Sequence, residues 1–227
     1  MVRQSIEDYL KTIFELQAEG EENLAVTNSR VAERMGVSAA SATNMIKKLA
    51  EDKMVAHTPY KGVRLTESGE SMALGVLRRH RLLELYLFSE LHFSWDQVHE
   101  EAERLEHAVS DAFIEKIDKK MGHPTLDPHG APIPDGNGKY EKWNYIQIAA
   151  MEPGQAGTVR SVTDKDPSML RFLEEIGLQL DAYVELVKKE PFGGSLIVRV
   201  NHDQEEPLGM RLANEVFVEV ERQNEET

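Results

Sequence analysis

Residues 4–65 present a succession of patterns that very few folds accommodate. Ile6, Leu10, Ile13, Phe14 and Leu16 recur at helical spacing over residues 4–19, and Gly20 ends the run. A short helix is predicted over 28–35, with Val31 and Met35 inward and Gly36 closing it. Ser38 is placed to cap a third helix, which runs to about Asp52 through Ala42, Met45, Ile46 and Leu49. Two β-like runs follow, 55–58 and 63–65, around the turn signal Tyr60-Lys61-Gly62. Helix, short helix, glycine turn, helix and hairpin is the order of a winged helix-turn-helix, the hairpin being the wing.

The third helix opens on residues suited to duplex DNA. Small and hydroxylated side chains at a helix N-terminus let the backbone approach phosphates and base edges. Asn44 is able to read adenine, Ser41 and Thr43 bases or phosphates, and Ala39 and Ala40 thymine methyls, with Ser38 at the cap. Lys47 and Lys48 would meet phosphate, and Lys61 would do so from the wing. An ordinary capped surface helix would look similar, and the adjoining wing is what favours DNA.

Net charge is −14, which taken whole opposes a nucleic-acid partner. The charge is unevenly spread. Residues 1–65 carry nine basic and nine acidic side chains, whereas 151–227 carry eight and sixteen. Residues 30–65 hold seven basic side chains against Glu33, Glu51 and Asp52. A basic face on an acidic body binds DNA weakly outside its specific sites and with steep salt dependence.

Beyond the wing, a long helix is expected from Thr66 to about Leu91, broken near His92–Ser94, and a second from Trp95 to about Met121. Leu74, Leu77, Leu82, Leu85, Leu105, Val109 and Phe113 suit packing of these helices on each other and on a partner chain. Residues 122–143 are rich in Pro and Gly. From Tyr145 the pattern is short strands with turn signals, interrupted by one short helix over 167–176, as in a small β-barrel. The expected fold is therefore mainly α with small β parts. It comprises a winged helix-turn-helix (1–65), a helical domain (66–122), a linker (123–144) and a small β-barrel (145–227). The N-terminus enters its first amphipathic helix with no apolar signal region, and no apolar run approaches ~18 residues. A soluble cytoplasmic protein, with no membrane partner, is expected.

The segment VHEEAERLEH (98–107) carries the metal chemistry. His99, Glu103, Glu106 and His107 fall at i, i+4, i+7 and i+8, one stripe of a helix where apolar residues would be ordinary. His80 and Glu84 repeat the i, i+4 pair on the preceding helix, and Asp8 on the first helix offers a further oxygen. The chain has no cysteine, so a bound metal must be held by imidazole and carboxylate, a donor set that suits Mn, Fe or Zn. The competing reading is a solvated face with i, i+4 ion pairs, Arg81 and Arg104 lying nearby. It would make the protein a metal-independent winged-helix regulator. A His/carboxylate metallohydrolase is the other alternative; it would leave the winged helix unexplained, and neither GxSxG nor HExxH occurs. His123 and His129 are expected to be exposed loop residues.

Taken together, these segments resemble the diphtheria toxin repressor family of iron- and manganese-dependent transcriptional regulators. The resemblance runs through IEDYLKTIFEL (6–16), VSAASATNMIKKLAEDKMV (37–55), LRRHRLLELYL (77–87), VHEEAERLEHAVSD (98–111) and DPHGAPIP (127–134). It implies a homodimer that represses metal-homeostasis genes by binding a palindromic operator in double-stranded DNA, activated by Mn(II) or Fe(II) at two ions per subunit. One site would use Asp8, Glu103, Glu106 and His107. The other would use His80, Glu84 and His99, completed by Asp164 of the barrel with Asp166 as its rival; Asp127 is an extra candidate near the first. The resemblance makes 66–122 a helical metal-binding and dimerisation domain, and the barrel over 145–227 resembles an SH3-like β-barrel of the ferrous-transport accessory (FeoA) type. Iron-selective members carry a sulfur pair where this chain has Asp8 and Glu103, a change that favours hard Mn(II). Manganese regulators lacking a barrel place an acidic residue where this chain has Lys11, so their binuclear geometry does not transfer.

Overall fold

A computed structural model of the chain describes residues 2–19, 25–58, 61–141, 144–163, 166–191, 194–203 and 205–221. The chain forms two compact units, residues 1–80 with 106–109 and 134–139, and residues 81–105 with 110–133 and 140–227.

In the first unit, α1 (Val2–Glu19), α2 (Asn28–Arg34) and α3 (Ala39–Glu51) precede a hairpin of β1 (Val55–Thr58) and β2 (Gly62–Leu65). Leu10 and Ile13 of α1, Val31 of α2, and Ala42, Ile46 and Leu49 of α3 are fully buried in one core. Burying a side chain of the Leu, Ile or Val type is worth roughly 1.5–3 kcal/mol, so these few positions fix the three-helix arrangement. Thr27 caps α2 and Ser38 caps α3, each hydroxyl accepting a backbone N–H three residues on. Gly36 takes the left-handed turn between the helices at φ +63°. Val26 adds a strand-like pairing to the wing, exchanging both backbone hydrogen bonds with Val63 at 2.9 and 2.8 Å. A Cβ at Gly62 would stand 2.4 Å from the Val26 carbonyl oxygen, so this edge requires glycine.

The Thr66 hydroxyl accepts from the Gly69 N–H and opens α4 (Glu67–Leu91), a helix shared by both units. The second expected long helix is instead two, α5 (Val98–Leu105) and α6 (Asp111–Lys120). The correction has a local cause. Ser110 accepts from the Phe113 N–H and starts a new helix, while the Arg79 guanidinium takes the Glu106 carbonyl that a continuing helix would have used. Residues 106–109 thereby join the first unit, and Glu106 and His107 lie in a turn rather than on a helical stripe.

The C-terminal part of the second unit is a six-stranded antiparallel sheet in the order β3-β8-β4-β5-β6-β7. Its strands are β3 (Ile146–Gln147), β4 (Ala156–Val162), β5 (Tyr183–Lys189), β6 (Leu196–Val200), β7 (Glu205–Leu208) and β8 (Val216–Val220), with α7 (Pro167–Glu175) and α8 (Met210–Ala213) between them. Register shifts at Val159/Ser161 and Leu186/Lys188 bend it around a core of alternating Val, Leu and Ile. Trp95, which precedes α5, belongs to that same core.

Residues 127–130, within the stretch expected to be a linker, are buried. Asp127 Oδ1 accepts from the His129 and Ala131 amides at 2.8 and 2.9 Å, which folds the loop into a tight turn. The His129 carbonyl then accepts from the Val162 amide of β4. At Gly130, φ is +81° and a Cβ would fall 2.0 Å from the Arg160 carbonyl oxygen. Gly130→Ala is expected to lower stability by about 3 kcal/mol, through left-handed strain and a backbone clash. An unfolding free energy from denaturant titration within ~0.5 kcal/mol of the parent, the scale of a neutral surface change, would refute that close approach.

Candidate metal centre

Three segments of the first unit converge on Glu106. Glu7, Asp8 and Lys11 come from α1, Arg79 and His80 from α4, and Glu106 and His107 from the turn after α5. Asp8, Glu106 and His107 each offer a ligand atom within 4.8 Å of the others. His107 Nε2 lies 2.7 Å from Asp8 Oδ1 and 3.2 Å from Glu106 Oε1. Its Nδ1 lies 2.7 Å from Glu7 Oε2, a carboxylate contact that fixes the ring and turns Nε2 toward Asp8 and Glu106. Glu106 has no solvent exposure. Burial alone would raise its carboxyl pKa, but the hydrogen bond from His80 and the charge of Lys11 outweigh it, and the group is held below its ordinary range. It is therefore an ionised carboxylate in a dry site. Two carboxylates and one imidazole at this spacing fit a divalent first-row cation, with no sulfur donor among them.

The second unit gathers another cluster. Glu84 of α4, with Asp127 and His129 of the buried turn, also bring ligand atoms within 4.8 Å of one another. His129 Nε2 donates to the Trp95 carbonyl at 3.1 Å, the ring stacks on the Trp95 indole at 5.6 Å, and that indole donates to the Pro128 carbonyl. With the proton on Nε2, Nδ1 keeps a lone pair, and this buried atom has no hydrogen-bond partner among the described residues. A buried imidazole lone pair beside two buried carboxylates is a fitting cation ligand. Glu84 also lies 3.2 Å from His99 Nδ1, and His99 Nε2 lies 4.0 Å from Glu103.

Of the residues expected in one site, Asp8, Glu106 and His107 are together, and Glu103 lies beside His99. Of those expected in the other, Glu84 and His99 are in contact, and His80 Nδ1 sits 2.5 Å from Glu106 Oε2 in the first unit. Asp164 lies outside the described residues. Asp166 caps α7 and pairs with Arg211 at 2.9 Å. Sequence reading missed Glu7 and took His129 for an exposed loop residue, yet His129 is 1% exposed. Glu7 could have been found by its place between Ile6 and Leu10 on the buried side of α1. His129 carried no such signal, because its burial depends on Asp127 folding the loop.

On α3, Ser38, Ala39, Ala40, Ser41, Asn44, Lys47 and Lys48 are all exposed, as is Lys61 of the wing. Thr43 is half-buried, and its hydroxyl accepts from the Asn28 side chain.

Residues 1–63 match the family model for the iron-dependent repressor N-terminal DNA-binding domain. Residues 66–135 match the iron-dependent repressor metal-binding and dimerisation domain, and residues 146–220 match the FeoA domain. The chain is 31% identical over 209 residues to the iron-dependent repressor IdeR of Mycobacterium tuberculosis, spanning 87% of this chain and 89% of that one. A solved manganese-dependent transcriptional repressor in complex with manganese superimposes with a TM-score of 0.88 at 41% identity, over 94% of this chain and 98% of the other. The manganese regulator SloR gives 0.78 at 31% identity, over 95% and 98%. No helix among the described residues is long and apolar enough to cross a membrane.

Proposed function

The chain belongs to the iron-dependent repressor family, and from that membership we propose that it is a homodimeric repressor of metal-homeostasis genes, switched on by Mn(II) or Fe(II). Its target is a palindromic operator, contacted through Ser38, Ala39, Ala40, Ser41 and Asn44, with Lys47, Lys48 and Lys61 on phosphates. It acts in the cytoplasm. The observation that carries the reading is the convergence of Asp8, on the first helix of the DNA-binding fold, with Glu106 and His107. A divalent cation bound there supplies positive charge to a carboxylate-rich site and a link between α1 and the 106–107 turn.

The residues supply the rest. Asp8 meets the turn at His107, Glu7 orients His107, and Arg79 holds the Glu106 carbonyl; an ion shared by Asp8, Glu106 and His107 would constrain α1 further. A dimer that must present two recognition helices one DNA turn apart is sensitive to such a constraint. Metal that favours the DNA-competent arrangement shifts the population toward it, and DNA tightens metal binding by the same factor. Glu84, Asp127 and His129 are the proposed ligands of a second ion. Exposed Phe88, Leu91 and Phe113 in the second unit provide apolar surface for the partner subunit. A donor set of carboxylate and imidazole without sulfur favours Mn(II) as the activating ion over softer competitors.

The test is a titration of chelator-stripped protein with Mn(II), Fe(II) and Zn(II) against a selected DNA library at fixed ionic strength. Mn(II) or Fe(II) is expected to raise affinity for a palindromic site by roughly 5–150-fold, the range of ordinary allosteric coupling. Equal binding by stripped and loaded protein would sink the proposal.

A further inference from the structure

The Lys11 ammonium lies 2.9 and 3.1 Å from the two Glu106 oxygens, so it straddles the carboxylate as a bound cation would. Lys11 is 7% exposed and Glu106 not at all. Lys11 stands three residues after Asp8 on α1 and projects from the same side of that helix. His80 contacts Oε2 of Glu106, and His107 faces Oε1.

Charge balance makes the position of this ammonium consequential. Glu7, Asp8 and Glu106 bring three negative charges to the cluster; Lys11 returns one, and Arg79, 3.5 Å from Glu7, another. One divalent ion carries the cluster from −1 to +1. Two would leave +3 in a site where Glu7, Lys11 and Glu106 are all buried, and desolvated like charges are costly.

We propose that Lys11 is a resident cation of this centre: its ammonium takes the side of Glu106 that a second divalent ion would need, limiting the Asp8–Glu106–His107 centre to one ion and competing with that ion for the shared carboxylate. This rests on the reading of the cluster as a metal centre, so the experiment separates the two. Chelator-stripped full-length protein is equilibrated with Mn(II), ions per chain are counted by mass spectrometry, and the Mn(II) spectrum is recorded by electron paramagnetic resonance. Asp8→Ala locates the centre: it must lose one ion relative to the parent, and if it does not, both the centre and the role of Lys11 are wrong.

Lys11→Glu then replaces the ammonium by a ligand. It is expected to bind one ion more than the parent, with the six-line signal of isolated Mn(II) broadened by a neighbouring ion. An unchanged count overturns the proposal. Lys11→Met removes the charge while keeping the length of the side chain, and it decides the matter should Lys11→Glu fail to fold. Its ion count should match the parent, while the dissociation constant at the centre falls on the order of tenfold, the size of effect a neighbouring buried charge ordinarily exerts. An unchanged or weaker constant would show that Lys11 does not compete for Glu106.

Discussion

Glu106→Gln will leave a protein that no longer tightens on its operator when Mn(II) is added. The side chain keeps its shape but loses the charge on which Lys11, His80 and His107 converge. The whole metal response, roughly 5–150-fold in operator affinity, should disappear. Folding should suffer as well, because Lys11 is left as a buried cation without its carboxylate; breaking a buried pair from one side costs about 3–5 kcal/mol. The two losses are separable. In the double variant Glu106→Gln/Lys11→Met the stranded charge is gone, so much of the stability should return while the metal response stays absent. Fluorescence anisotropy on labelled operator reads the first effect and denaturant unfolding the second. A Glu106→Gln protein that still responds to Mn(II) would remove Glu106 from the centre.

The winged helix was legible in the sequence because each of its signals is local. Ser38 caps α3 by bonding the Ser41 amide, Gly36 turns at positive φ, and Ala42, Ile46 and Leu49 fall on one helical face. The His and carboxylate residues that cluster were legible too, since at apolar positions of a helix they stand out. What misled was the assumption that one helix carried them all. His99, Glu103, Glu106 and His107 keep helical spacing across a break at residues 106–110 that only Ser110 announces, and a serine inside an amphipathic run is a weak signal. With the break in place, Glu106 and His107 belong to one unit and His99 and Glu103 to the other. The strand β7 carries no strand signal of its own. Glu205, Glu206 and Pro207 are poor strand formers, but β7 is the edge strand beside β6, where Pro and charge are tolerated.

The turn at 127–130 was the least legible segment, and the largest effect expected in the second unit lies there. His129→Ala should cost one Mn(II) per chain together with about 3 kcal/mol of stability, the order seen when a buried ring is truncated. The stability loss follows from its surroundings: the ring is 1% exposed, stacks on Trp95 and donates to that residue's carbonyl. Alanine alone therefore cannot tell a ligand from a packing residue, since a collapsed turn would also disperse Asp127 and Glu84. His129→Phe makes the distinction. It retains a flat ring against Trp95 and removes Nδ1, so stability should recover most of the alanine loss while the ion count stays one below the parent. The Glu84 and Asp127 carboxylates would then lack the imidazole, keeping contacts such as Arg81 at 3.6 Å from Asp127 and His99 at 3.2 Å from Glu84. If His129→Phe binds as many ions as the parent, the imidazole is there to pack Trp95 against the sheet, and the buried lone pair at Nδ1 has no part in holding metal.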